Sequence, residues 1–536
     1  MSPSMVFWHL NNSVNLNHRL VLTMLSPSHL LLLLLPILLL YLLLRRILTN
    51  LFFHPLSSFP APFYTRLSSL PLSLVSVLRR EPDFLLYLSK KYPSARAIRI
   101  SPNLLFFPHT SALKSIYWSQ AHNHKGSLYG TGALGPTSLF STISGDDHKA
   151  LRKSLGGSQW SVSYLKNEQE PRIDNLVSSL VAQLSDLSPN DAVVSIDDKL
   201  AQFAADVMTL LTFGKPWGFI AHDRDEKRLL SAFREGLPFF GFAARCNSFR
   251  ELFLSSGLMR SLILPTVDDK HGNGYLASQA RLAIVQREKE RETEHLLEEG
   301  GGYKVKDYLD YTLDARDSKG EPLVQWEKEG QITLLIQAGA DTTGTALGAT
   351  LRFMLQHPEC LEKAREEINV AEEKGLLSTP VLYEETKQHL PYFVACIKEG
   401  LRLNPPAPNL LGRVILEKGG TMIDGVHVPQ RAEVCSQSYT VGRDPETYGP
   451  DAEEFKPERW LGDDGKHKAE IEAASFVFGM GPRICLGKEI AIMELYKALP
   501  EIVRKFDFEL VEVGKYVVLG GVAHNRGFKV RVRRRV

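Results

Sequence analysis

The sequence predicts a mainly helical α+β protein carried on one membrane-spanning helix, and three observations predict it. Most long segments repeat apolar residues at helical spacing, as in "HPECLEKAREEINVAEEKG" (His357 to Gly375). One early stretch, "ARAIRISPNLLFF" (Ala95 to Phe107), alternates instead and is rich in strand formers. Near the N-terminus, "HLLLLLLPILLLYLLL" (His29 to Leu44) is almost pure leucine. At 536 residues and 44% hydrophobic, the chain can bury one very large core or two to three ordinary ones. Its 63 lysines and arginines nearly balance 61 aspartates and glutamates, so bulk charge gives no reason to expect a nucleic-acid partner. Five scattered cysteines, with no CxxC pair, argue against a disulfide framework or a structural zinc site.

The elements follow in chain order. Leu30 to Leu44 spans only ~22 Å as a helix, short of the ~30 Å hydrocarbon thickness, and extension back to Val21 supplies the difference. No A-x-A-like cleavage site follows, and Arg45 and Arg46 do, which favours an uncleaved anchor over a signal peptide. Those two arginines, against a tail that carries only Arg19, predict a cytoplasmic body and a lumenal tail. Asn11 then heads a formal glycosylation sequon. In "FFHPLSSFPAPF" (Phe52 to Phe63) three prolines forbid helix continuation. The expected divisions are a tail at 1–20, an anchor at 21–44, a basic and proline-rich hinge at 45–62 and a body at 63–536. Within the body, "LEEGGGYK" (Leu297 to Lys304) reads as a connector and "LGDDGKHKAE" (Leu461 to Glu470) as a polar surface loop.

Chemistry concentrates in three places. In "FGMGPRICLG" (Phe478 to Gly487) glycines surround Cys485, and a helix with Ala491, Leu495, Ala498 and Leu499 on one face begins directly after it. A thiolate at a helix N-terminus is stabilised as the anion, the form that binds metal. Flanking glycines let backbone N–H groups turn toward the sulfur and let a flat cofactor approach. A lone cysteine would read as an inert buried one; the surrounding pattern is what speaks against that. In "QITLLIQAGADTTGTALGATLRFML" (Gln331 to Leu355), Gly339, Asp341, Thr342, Thr343 and Gly344 interrupt a long apolar helix. Glycine there costs ~1 kcal/mol, so the segment reads either as a helix locally opened across a cofactor or as a break before a cap at Asp341. In "IKEGLRLNPPAP" (Ile397 to Pro408), Glu399 and Arg402 share one helical face, and "FKPERW" (Phe455 to Trp460) adds Arg459.

Phe478-x-x-Gly481-x-Arg483-x-Cys485-x-Gly487 resembles the haem-binding loop of the cytochrome P-450 superfamily, with every signature position filled. The resemblance runs through anchor, hinge and body, with motifs in the superfamily's order. It implies a large helical domain with a small β-rich subdomain and one N-terminal transmembrane helix. It implies haem b with Cys485 as axial thiolate, pushing electron density toward iron. Arg483 would pair with a haem propionate, and Phe478, Gly481 and Gly487 would complete the loop. "AGADTT" (Ala338 to Thr343) is similar to the superfamily's oxygen-binding groove, which implies that Ala338 and Gly339 leave room for dioxygen. Thr342 would then hydrogen-bond the distal oxygen or a water, and Asp341 would feed protons. Glu399, Arg402 and Arg459 resemble the structural charge cluster behind the haem. His148 and Arg152 in "HKALRK", and Arg413 in "LLGRVILEKGG", are further candidates to face the propionates. Departures are Gly442 in "VGRDP", where a histidine is common, and Ala61 in "PAP", where a glycine is common.

The resemblance implies a monooxygenase of the endoplasmic reticulum membrane, acting on a hydrophobic small molecule. One oxygen atom would enter the substrate and the other become water. Electrons would come from NADPH through a separate reductase docking on the cysteine side, with cytochrome b5 as a second donor, since no nucleotide-binding glycine fingerprint is evident. The hinge and "YPSARAIRISPN" (Tyr92 to Asn103) look most like fungal membrane-bound members that tailor terpenoids, polyketides or alkaloids. Two other functions fit a haem-thiolate loop. One is an isomerase or dehydratase that needs no reductase, against which the "ADTT" residues count; the other is a haem-based sensor, for which no output module is visible. The segment Arg234 to Phe249 reads as a lid or as bulk core. Ser127 to Ser138, Leu335, Ala338, Asn409 to Leu411 and Leu519 to Val522 would line the pocket by the same resemblance.

Overall fold

The computed structural model describes residues 27–119, 124–130, 137–188, 192–297, 305–462 and 465–535. The sequon at Asn11, the tail at 1–20 and most of the Leu297 to Lys304 connector lie outside them. The chain divides into two compact units after Ser58.

The first unit contains helix α1 (Pro27–Leu48), which continues into a π-helical turn, Thr49–Phe53. The expected end at Leu44 is passed: Arg45 and Arg46 lie inside the helix, because no breaker occurs until Pro55. The twenty residues Leu34–Phe53, with mean hydropathy 1.7, are long and apolar enough to cross a membrane. Most of its leucines from Leu34 to Leu44 are about half exposed.

The second unit is built around two helices. One, α3 (Ile196–Phe213), is buried on nearly every side; the other, α5 (Gln325–Gln356), is the longest among the described residues and packs along it. Their close approach depends on glycine. A Cβ at Gly344 would lie 2.6 Å from the Ala201 Cα, and one at Gly339 would collide with Met208. The expected local opening of α5 is therefore absent: the helix is continuous, Asp341 is not a cap, and the glycines serve helix packing instead. Around this pair lie α2 (Gly145–Leu155), α4 (Leu229–Arg245), α6 (Pro391–Leu403) and α7 (Lys488–Lys505). The alternating segment forms the hairpin β1 (Ile98–Ser101) and β2 (Leu104–Phe106), turned at Pro102–Asn103. β2 pairs in parallel with β7 (Glu433–Cys435), which pairs antiparallel with β4 (Arg413–Val414). Near the C-terminus, β9 (Lys515–Leu519) and β10 (Val522–Arg526) make a hairpin whose tip, Gly520–Gly521, sits against α4 and Asn409.

The predicted polar loop at Leu461 to Glu470 is half helix, Gly465–Ala474. Its charged residues hide a single anchor, Ile471, fully buried beside Ala395, Tyr448, Ala452 and Trp460. Glu472 adds an ion pair of 2.7 Å to Lys398 on α6.

Candidate functional site

The cysteine loop is shaped by three features. The Cys485 N–H donates to the Phe478 carbonyl at 2.9 Å, and Ile484 N–H to Gly481 O at 3.0 Å, which closes the loop on itself. Gly479 and Gly481 both have positive φ, +73° and +72°, and a Cβ at Gly481 would collide with the Tyr117 carbonyl. From α2, Arg152 donates to the Ile484 carbonyl at 2.7 Å, fixing the residue before the cysteine. Gly487 has an ordinary φ of −85°, and a Cβ there would meet only Trp160, at 4.0 Å, so no contact within the chain requires glycine at this position. Phe478 is partly buried against the core. Gly479 is the loop residue that the motif does not mark.

Cys485 is exposed, yet burial is the main cause that pushes its thiol above the ordinary value. The two facts agree if the open face of the sulfur borders an interior cavity rather than bulk water. The Gly487 N–H, Arg152 and Lys488 act in the opposite direction and favour the thiolate. A bound metal ion would supply the remaining charge, since a coordinating thiol is deprotonated outright.

Beside the loop stands a group of cations. His148 on α2 is buried (4% exposed), and Arg413 on β4 is buried with its guanidinium 4.9 Å above the Tyr117 ring. Arg152 is half-buried. Arg483 donates to the carbonyls of Thr142, Ile143 and Ser144 at 3.4–3.5 Å. Lys125 joins them, buried, its ammonium donating to Leu139 O and Phe140 O and lying 4.8 Å from the Tyr129 ring centre. Burial and the other cations depress the group: His148 to about 2, Arg483 to about 9, and Lys125 well below its usual value. Like charges desolvated together in this way are costly unless an anion joins them. The donor set therefore fits the cofactor that the resemblance implies, a flat macrocycle with a thiolate-seeking iron and two carboxylates. Lys125 was not visible from its sequence, because its segment has no periodicity and no motif.

On α5, Ala338 is exposed in mid-helix and Thr342, one turn on, is half-buried with its hydroxyl donating to Ala338 O at 2.7 Å. These two mark the open side of the helix. A Cβ at Gly339 would collide with Met208, so close helix packing by itself requires glycine there. Asp341 faces another way, fully buried, and takes Arg234 of α4 at 2.6–2.7 Å on Oδ1, while its Oδ2 has no hydrogen-bond partner. Burial raises the Asp341 carboxyl above the usual carboxylate range, and Arg234 offsets only part of that. Arg234 was not singled out as a partner; its signal is a charge on an otherwise apolar helix face.

Behind the loop, Glu399 and Arg402 of α6 form a bidentate pair, both contacts 2.7 Å, and Arg459 reaches Glu399 at 3.0 Å. Lys456 N–H and the Trp460 indole complete the carboxylate's coordination. Arg402 also donates to the carbonyls of Gly442, Ala452 and Glu454. A Cβ at Gly442 would lie 2.7 Å from Arg402 O, which accounts for glycine where a histidine is common.

On the outer side of the loop lies a cleft of about 1110 Å³, bordered by Phe478 to Gly481, Ile484 and Lys488 and by Thr110, Lys114 and Glu446.

Residues 103–518 match the family model "Cytochrome P450". The chain is 30% identical over 472 residues to cytochrome P450 monooxygenase gsfF of Penicillium aethiopicum, covering 86% of this chain and 90% of that one. It is 29% identical over 473 residues to cytochrome P450 monooxygenase ABA1 of Pyricularia oryzae, covering 85% and 88%. It is 28% identical over 459 residues to a cytochrome P450 monooxygenase of Aspergillus terreus, covering 84% and 90%.

Proposed function

The chain belongs to the cytochrome P450 family and is a monooxygenase of it, and from that premise we propose that it oxidises a hydrophobic small molecule at a haem held by Cys485. The observation that carries this reading is an open, backbone-wrapped cysteine beside a group of wholly or partly buried cations, Lys125, Arg152, Arg413 and Arg483. Cys485 would hold the iron; Arg483, Arg152, Arg413 and Lys125 would neutralise the two propionates, and the neutral His148 would add a hydrogen bond. When bound, haem supplies the activation of dioxygen, one atom entering the substrate and the other leaving as water.

The chain's own residues supply position and protons. Ala338 keeps the wall of α5 low over the cofactor, and the Thr342 oxygen offers lone pairs into the cavity while its proton rests on Ala338 O. Asp341 is an acid of raised pKa, held by Arg234, and its proton reaches the cavity side only through rotation or an intervening water, because adjacent helical residues do not face each other. Since Arg234 belongs to α4, movement of that helix and release of the Asp341 carboxylate are one event. Glu399, Arg402 and Arg459 hold the backbone behind the loop and take no part in proton transfer.

The cleft behind the loop supports docking of an NADPH-dependent flavin reductase there, with cytochrome b5 as a second donor. The apolar helix near the N-terminus supports single-pass anchoring in the endoplasmic reticulum with a cytoplasmic body. The fungal relatives and the hinge sequence support a secondary metabolite as substrate. Pocket walls would come from Leu335, Ala338, Asn409 to Leu411 and the β9–β10 tip; Asn409 and Gly521 are in direct contact.

The test is the absorption spectrum of the reduced, carbon monoxide-bound protein. A strongly red-shifted band is expected, lost in Cys485→Ser; folded, haem-loaded protein without that band would overturn the assignment. Thr342→Ala should keep the band while reducing equivalents appear as peroxide in place of product, and unchanged coupling would remove Thr342 from the proton path.

A further inference from the structure

At the rim of the cleft behind the cysteine loop, three metal-ligating side chains converge from two distant segments. His109 belongs to the turn before the helix Ser111–Tyr117, and Asp444 and Glu446 to the start of the helix Pro445–Tyr448. His109 Nδ1 lies 3.2 Å from Asp444 Oδ1 and 3.9 Å from Glu446 Oε1, and all three ligand atoms fall within 4.8 Å of one another. An ion bound at ~2.0–2.2 Å by imidazole and carboxylate keeps its tetrahedral ligands roughly 3.3–3.6 Å apart, so small side-chain adjustments close the set. Asp444 is buried and His109 nearly so, while Glu446 is half exposed. That gradient gives an ion a route in from solvent and leaves further positions for water.

The local charge favours a cation. Asp424, Asp444 and Glu446 surround one guanidinium, Arg96, which stands 2.9 Å from Glu446 and 3.9 Å from Asp424. The Asp424 Oδ2 is buried and accepts no hydrogen bond. Three carboxylates thus share one positive partner beside an imidazole that is neutral unless protonated. The Asp444 carboxylate is already oriented, taking Thr110 N–H on Oδ2 and Glu446 N–H on Oδ1, and the 3.2 Å contact between Oδ1 and His109 Nδ1 is the one an ion between them would replace. Backbone bonds of this kind hold a ligating carboxylate in one rotamer.

We propose that His109, Asp444 and Glu446 form a binding site for a divalent transition-metal ion of the zinc class. One imidazole with two carboxylates suits zinc better than calcium or magnesium, which take all-oxygen sets. Thr110 and Thr447, whose hydroxyls meet at 2.5 Å beside the site and line the same cleft, are next in reach. The site is separate from Cys485, which the haem occupies in the loaded protein, and it places a metal ion on the surface offered to an electron donor.

Calorimetric titration of haem-loaded protein with zinc chloride tests this. One ion per chain is expected. His109→Gln should weaken binding at least tenfold and Glu446→Gln severalfold, whereas Arg96→Gln should strengthen it severalfold by removing the competing cation. Asp444 is left intact because it caps two helices, and an unchanged carbon monoxide spectrum checks that each variant is folded. No saturable binding by the wild type, or His109→Gln binding as tightly as wild type through other histidines, would overturn the proposal. So would weaker binding in Arg96→Gln.

Discussion

Two clusters of buried charge flank the cysteine loop, and they are built on opposite plans. Around Glu399 every charge has its counterpart: burial alone would raise the carboxyl, but Arg402 and Arg459 outweigh it and hold Glu399 below the ordinary carboxylate value. Around Arg483 the charges are alike, and burial with mutual repulsion depresses His148, Lys125 and Arg483 together. A balanced cluster stabilises the chain by itself. A cluster of one sign is a place prepared for something of the other sign, and its cost is removed only when that ligand arrives.

The contrast is sharpest in the balanced cluster. Glu399→Gln leaves two buried guanidiniums short of their anion and should cost about 3–5 kcal/mol whether or not haem is bound, read from urea unfolding of both forms. A variant as stable as wild type would mean that the cluster is not the strut it resembles. Arg483→Gln should do the reverse. Haem affinity should fall roughly ten- to hundredfold, the loss of about 1.5–3 kcal/mol in charge-assisted bonds, while the haem-free chain is not destabilised because one repelling charge has gone. Destabilisation of the haem-free form would collapse the distinction between the two clusters. The smallest effect is in pH. His148 is held neutral, its folded value about 2 against 6.5 when unfolded, so the unfolded chain binds more protons between those limits. Stability of the haem-free protein is therefore complete above pH 6.5 and falls by at most about 1.4 kcal/mol per unit below it. His148→Gln should flatten that slope, and bound haem, with two propionates near the cations, should make it shallower.

What the sequence made legible was local. The cysteine loop, the polar interruption of α5 and the Glu399–Arg402 pair each sit within a few dozen residues and carry residue types that need an explanation where they stand. What it hid was created by folding. Arg234 and Asp341 are 107 positions apart, and nothing in either segment names the other. Lys125 belongs to a stretch without pattern, and its burial follows from carbonyls that only the folded turn presents. Gly339 was read as room for a ligand; a Cβ there would meet Met208 and one at Gly344 would meet Ala201, because glycine signals close approach without saying of what. The helix at Gly465–Ala474 was missed for a similar reason: a single buried isoleucine gives no periodicity to detect.

The contact between Gly481 and the Tyr117 carbonyl bears on how the molecule is made. The loop's shape is set by residues more than three hundred positions earlier, at Tyr117 and Arg152, so it cannot form until both segments have been synthesised. At ~5–20 residues per second, a ribosome takes roughly 20–70 s to travel from the first of these to the cysteine. Lys125, His148 and Arg152 are made early in that interval, Arg413 late in it and Arg483 immediately before the cysteine, so the cationic side and the cysteine loop are completed together. Capture of haem is thus a signal that the cysteine loop has closed against Tyr117 and Arg152.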